Sequence, residues 1–113
     1  MVAIVLDTLV EEALQSDDRF TQAFVDSRIA RGQGPLRIRV DLSRRGIGKD
    51  LCSMHLGDSH EVWVARVQEV RRRRFGEDPP ESGGAAAKQA RFLAGRGFTR
   101  EQVRAALRAA SRC

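Results

Sequence analysis

A short string recurs at a fixed offset of 51 residues, and this constrains the fold more than any other feature: Leu42-Ser43-Arg44-Arg45-Gly46-Ile47 lines up with Leu93-Ala94-Gly95-Arg96-Gly97-Phe98. The same offset carries Cys52 onto Val103 and Leu56 onto Leu107. Small units of this kind bury their apolar faces by stacking on their neighbours, so the chain is expected to be a row of similar helical units. Its 113 residues suffice for one ordinary domain or for a short row of this sort.

The opening residues read as a fragment of a further copy. Val2, Val5, Leu6, Leu9, Val10 and Ala13 trace a helical stripe with Asp7 and Glu11 on the wet side. Residues 1–16 are therefore expected to be the closing helix of a partial first repeat. A second three-helix repeat is expected over residues 17–58, its first helix capped by Asp17 or Asp18. Phe20, Phe24 and Ser27 form that helix's main inward stripe and Val25 and Ile29 a second one, before Arg31-Gly32-Gln33-Gly34-Pro35 breaks it. Leu36, Ile38, Val40 and Leu42 alternate with polar residues, which taken alone argues for a strand. Helix is nevertheless expected there, because the aligned segment is Ala-rich and Pro35 and Gly46 suit a helical start and stop. A third repeat is expected over residues 59–113, with a Pro/Gly loop at 77–84. In it Trp63, Val67 and Val70 face inward, Arg72 points outward flanked by Arg71 and Arg73, and Arg74 snorkels. Thr99 and Gln102 have the spacing of a capping box ahead of the last helix.

Charge is unevenly spread. Residues 1–18 carry a net −5 and residues 19–113 a net +10, and only Lys49 and Lys88 among the 20 basic residues are lysines. A basic body with an acidic leading helix points to a polyanion or an acidic protein surface as partner. Arginine's planar fork suits both, although a GC-rich coding sequence would produce the same bias. No apolar run approaches the roughly 20 residues that cross a bilayer, and the start lacks the pattern of a secretory leader. A cytoplasmic location is the expectation. Two cysteines, Cys52 and Cys113, are too few for a disulfide framework and are read as reduced thiols.

Asp17-Asp18-Arg19-Phe20-Thr21-Gln22-Ala23-Phe24, followed by Ser27-Arg28, the Gly-x-Gly break, Ile38 and residues 42–47, resembles the middle repeat of the RecX family of recombination regulators. Ala90-Arg91-Phe92-Leu93 with Arg96-Gly97-Phe98 resembles that family's final repeat. The resemblance implies an all-α, elongated and curved array of tandem three-helix repeats. It further implies a non-enzymatic regulator that binds RecA filaments on DNA, damps RecA's ATPase and recombination activities, and contacts single- or double-stranded DNA. A full family member would have two more helices ahead of Val2. A monomer is expected, with the Val2, Leu6 and Leu9 face open to self-association if nothing covers it.

Candidate RecA- or DNA-binding residues are Arg28, Arg31, Arg37, Arg39, Arg44 and Arg45 around the second unit's Gly-rich turn, Arg71, Arg72 and Arg73 in the third, and Arg91 and Arg96 in the final motif. Such arginines can neutralise backbone phosphates or pair with acids lining a protein groove. They can equally form a solvated face, with Arg37 and Asp41 as an i,i+4 pair. Cys52, His55, Asp58 and His60 do not match a zinc spacing, and Cys52 is read as a small core residue. No catalytic motif is present and no cofactor or metal is expected. A stand-alone helix-turn-helix DNA-binding module is the competing reading.

Overall fold

The computed structural model describes the backbone of residues 2–111 and the side chains of residues 9–111. Six helices run in order: α1 (Val2–Ala30), α2 (Pro35–Arg44), α3 (Lys49–Leu56), α4 (His60–Phe75), α5 (Gly83–Gly95) and α6 (Arg100–Ser111), with no strand among the described residues. The molecule is elongated, 69 × 22 × 19 Å along its principal axes. The helices form two three-membered groups, α1 with α2 and α3, then α4 with α5 and α6.

The 51-residue offset is a structural equivalence. Leu42 and Leu93 are both fully buried, and Ile47 with Phe98 and Cys52 with Val103 are buried pairs. The turns match bond for bond. Gly46 N–H donates to Ser43 and Gly97 N–H to Ala94, each at 3.0 Å, and Ile47 and Phe98 donate to Leu42 and Leu93 at 3.1 and 3.4 Å. Gly46 and Gly97 have φ of +86° and +100°, a left-handed conformation that closes a helix and that β-carbons resist. Helix prevails over alternation in α2 because only Ile38 and Leu42, four apart, reach the core, while Leu36 and Val40 are half exposed. Capping follows the residues expected of it: Thr99 N–H donates to Gln102 Oε1 at 2.9 Å and Gln102 N–H to Thr99 Oγ1 at 3.1 Å.

Three expectations need correction. No helix ends near residue 16, because α1 runs unbroken through Asp17 and Asp18. That stretch has neither Gly nor Pro, whereas the corresponding joint between α3 and α4 contains Gly57. Asp18 does not cap a first turn, since its carboxylate meets His55 Nε2 on α3 at 2.7 Å. The inward stripe of α1 is also rotated from the expected one. Thr21 and Val25 are buried, Phe24 and Ile29 are half-buried, and Phe20 and Ser27 are exposed. Thr21 fits the core because its hydroxyl donates back to the Asp17 carbonyl at 2.7 Å. Third, Arg71 does not flank an outward run but is buried one helical turn beyond Val67. The expected Val2, Val5 and Leu6 stripe and Cys113 lie outside the described side chains, while Leu9, Val10 and Leu14 are exposed.

His55 ties α1 to α3. Its Nδ1 meets Gln22 Oε1 at 2.8 Å, and the Gln22 amide is oriented by its own Nε2 donating to Asp26 at 2.9 Å. Both ring nitrogens thus face oxygen acceptors, and a neutral ring can donate to only one of them.

The two groups of helices meet across a backbone seam. Gly34 N–H donates to the Arg96 carbonyl at 2.8 Å and Leu36 N–H to the Gly97 carbonyl at 2.9 Å. A β-carbon at Gly34 would overlap the Gly97 carbonyl, and one at Gly97 would overlap Arg37. Beside the seam, Trp63 packs edge-on to Phe98 at 6.5 Å and donates its indole N–H to the Leu56 carbonyl at 3.3 Å.

Candidate nucleic-acid and protein interface

The arginines of the second unit divide by what holds them. Arg28, at the end of α1, is braced: it lies 4.5 Å over Phe24 and donates to Gln33 at 3.3 Å and Asp41 at 3.4 Å. Asp41 therefore pairs with Arg28 across helices, not with Arg37 along α2 as the spacing suggests. Arg45 also lies over that ring, 5.0 Å from Phe24, and 5.9 Å from Phe20. Arg37, Arg39 and Arg44 are exposed on α2, with Arg39 donating to Ser53 on α3 at 3.2 Å. Their charges face water and are available to an anionic partner.

The run at residues 71–74 does not act as one patch. Arg71 is 2% exposed, and its donors are spent on Gln89 Oε1 at 3.0 Å, the Gly76 carbonyl at 3.5 Å and the Asp78 carbonyl. A buried guanidinium whose donors are engaged within its own chain cannot also bind a partner's phosphate, so Arg71 leaves the candidate set and becomes the anchor of the loop before α5. Arg72 and Arg73 both bond Glu69 at 3.0 Å. Arg72 first and Arg73 second hold the Glu69 carboxyl below the usual carboxylate range. Arg74 lies over Phe92 at 5.3 Å. Arg91 is exposed on α5.

Distant parts of the chain converge in a cleft of about 360 Å³ between the end of α1, α4 and α5. It brings together three of the candidates, Arg31, Arg73 and Arg96, and adds Arg66 and Arg74, over a floor that includes Val70 and Phe92. Arg66 lies 4.4 Å over Trp63 and meets Asp58 at 2.8 Å, a charge contact without hydrogen-bond alignment. Reading the sequence for charge runs missed Arg66. The available signal was helical spacing, since residues 66, 69, 70, 73 and 74 share one face of α4.

The residues set aside as metal ligands have separate roles. Cys52 is buried with its thiol 3.8 Å from the Ile47 carbonyl, His55 bridges Asp18 and Gln22, and Asp58 pairs with Arg66. No helix among the described residues is long and apolar enough to cross a membrane.

Two family models match in tandem, the second three-helix domain of RecX over residues 16–56 and the third over residues 62–107. The chain belongs to the RecX family. It is 46% identical over 106 residues to the regulatory protein RecX of Halorhodospira halophila, covering 94% of this chain and 66% of that one. The Acidithiobacillus ferrooxidans protein of the same name is 42% identical over 107 residues, covering 94% and 67%. That of Chromohalobacter salexigens is 43% identical over 109 residues, covering 94% and 69%. The chain thus spans about two thirds of the length of the curated relatives it matches. Those relatives are named regulatory proteins, and the two helical groups of this chain match the second and third three-helix domains of the family in tandem.

Proposed function

We propose that this RecX-family chain binds RecA filaments assembled on DNA and slows their ATP hydrolysis, and with it recombination and repair, in the cytoplasm. The observation that carries the reading is the tandem match to two RecX domains together with relatives named as regulatory proteins. Physical support comes from arginines with no carboxylate partner among the described residues: Arg37, Arg39 and Arg44 exposed on α2, Arg31 exposed after α1, Arg91 exposed on α5, and the half-buried Arg96 at the seam. A row of charges on a rigid elongated body can span more than one protomer of a filament and touch its DNA backbone as well. The repeat limits in this reading fall at residues 17–58 and 59–113, with residues 1–16 as the closing helix of a preceding unit that continues without a break into the next.

The decisive experiment adds the protein to RecA on single-stranded DNA and follows ATP hydrolysis. A rate that falls with added protein is expected, and removing the charges of Arg37, Arg39 and Arg44 together should weaken the effect. An unchanged rate at several-fold excess over filament sites would overturn the proposal. Selective binding to duplex DNA that RecA does not alter would instead favour a stand-alone DNA-binding module.

A further inference from the structure

The cleft between α1, α4 and α5 has a composition that a phosphate track does not need. Its mouth holds Arg31, Arg74 and Arg96, none of which has a carboxylate partner among the described residues. The one acid there, Glu69, is already bonded by Arg72 and Arg73. Arg96 carries a buried Nε with no hydrogen-bond partner among the described residues. Beneath these charges the floor is apolar, formed by Ile29, Val70 and Phe92.

We infer that this cleft is a docking site for an acidic peptide segment, one apolar side chain entering the floor while flanking carboxylates meet Arg31, Arg74 and Arg96. Guanidinium forks pair with carboxylates in two-point geometry, and the dry floor strengthens those pairs while rewarding an apolar anchor. Nucleic acid fits less well. The Phe92 ring is already met by Arg74 and Arg96 at 5.3 and 5.4 Å and edge-on by Phe75 at 5.4 Å, contacts with which a stacking base would compete. The other nearby aromatic, Trp63, is 3% exposed. Nor does a phosphodiester backbone supply an apolar group for Ile29 and Val70. The inference deepens the filament-docking reading and rests on it only for which protein supplies the segment.

The test is fluorescence anisotropy with the whole chain and a labelled peptide carrying leucine between pairs of glutamates. Saturable binding is expected, at least about fivefold weaker for Arg74→Ala and for Arg96→Ala and for a peptide with serine in place of leucine. Arg100→Ala removes the same charge from an exposed site on α6 and should bind as the parent does. Circular dichroism of each variant separates lost binding from lost folding, and Arg96→Lys, which keeps charge without the fork, should bind at an intermediate level. Absence of binding, equal affinity for the serine peptide, equal loss in Arg100→Ala, or tighter binding of oligothymidylate with the same arginine dependence would each overturn the inference. Peptide binding without any effect on RecA hydrolysis would overturn the filament reading and leave the cleft standing. The reverse result would do the opposite.

Discussion

Adjacent arginines in this chain have opposite roles, and Arg71 and Arg72 make the case. Arg71 is held by Gln89, Gly76 and Asp78, whereas Arg72 lies on the surface with Glu69. Arg71→Leu leaves the Gln89 side chain and two loop carbonyls short of their donor, and a loss of about 2–3 kcal/mol is expected from urea unfolding. Arg72→Ala removes an exposed ion pair and should stay within about 0.5 kcal/mol. Equal losses would mean that the burial of Arg71 contributes nothing. Glu69 adds a dependence on pH. Because its carboxyl is held below the ordinary range in the fold, its pairing contributes above the ordinary glutamate range and is lost only as pH falls through the lowered value. The i,i+4 spacing of Trp63, Val67 and Arg71 places Arg71 on the buried stripe of α4, but four consecutive arginines read as one exposed run, and nothing in the run marks that α5 delivers Gln89 to meet it.

Among the elements, α1 behaves as two different helices in one rod. From Asp18 onward it is anchored by Val25 and by the His55 bridge to Asp18 and Gln22, while residues 9–17 are exposed throughout. Leu42→Ala, in the core, should cost about 2–5 kcal/mol. Leu14→Ala, at 61% exposure, should cost less than about 0.5 kcal/mol in dilute solution. A comparable loss at both positions, together with an elution volume that shifts with protein concentration, would show that the leading half of α1 is covered by a second copy. His55→Ala removes the ring that links α3 to Asp18 and Gln22 of α1 and should cost about 1–2 kcal/mol by thermal unfolding. The helix limits were legible wherever a breaker or a cap marks them: Gly32 to Pro35, Gly46 and the Thr99 to Gln102 box all fall at real ends. The false limit at Asp17 and Asp18 arose from a residue type that caps helices, but the Asp18 carboxylate here serves a histidine on another helix, a long-range contact that local pattern does not encode.

At the scale of the whole molecule, two similar units are held in one orientation by a seam that needs glycine for reasons of space. The 51-residue repeat announced the units, and the equivalent turns of Gly46 and Gly97 show why it was readable, since both stop a helix by the same backbone geometry. The seam was not readable, because Gly34 and Gly97 look like ordinary helix breakers until the second unit's backbone is laid against the first. Gly34 has an unremarkable φ of −94°, so Gly34→Ala is tested by space and not by conformation. Its β-carbon would overlap the Gly97 carbonyl, and the two seam hydrogen bonds leave little room to retreat. A loss of about 1–3 kcal/mol is expected from denaturant unfolding. Gly95→Ala, two residues from the seam, is the control. Nothing lies within 4 Å of the added carbon, the site is helical, and a gain of about 0.4–1 kcal/mol is expected. If the seam also sets the spacing of the arginines on α2 relative to those of the cleft, Gly34→Ala should weaken any effect on RecA hydrolysis even at temperatures where the variant stays folded. Gly95→Ala should leave that effect intact. A Gly34→Ala protein that is destabilised yet fully effective would show that each unit acts on its partner alone.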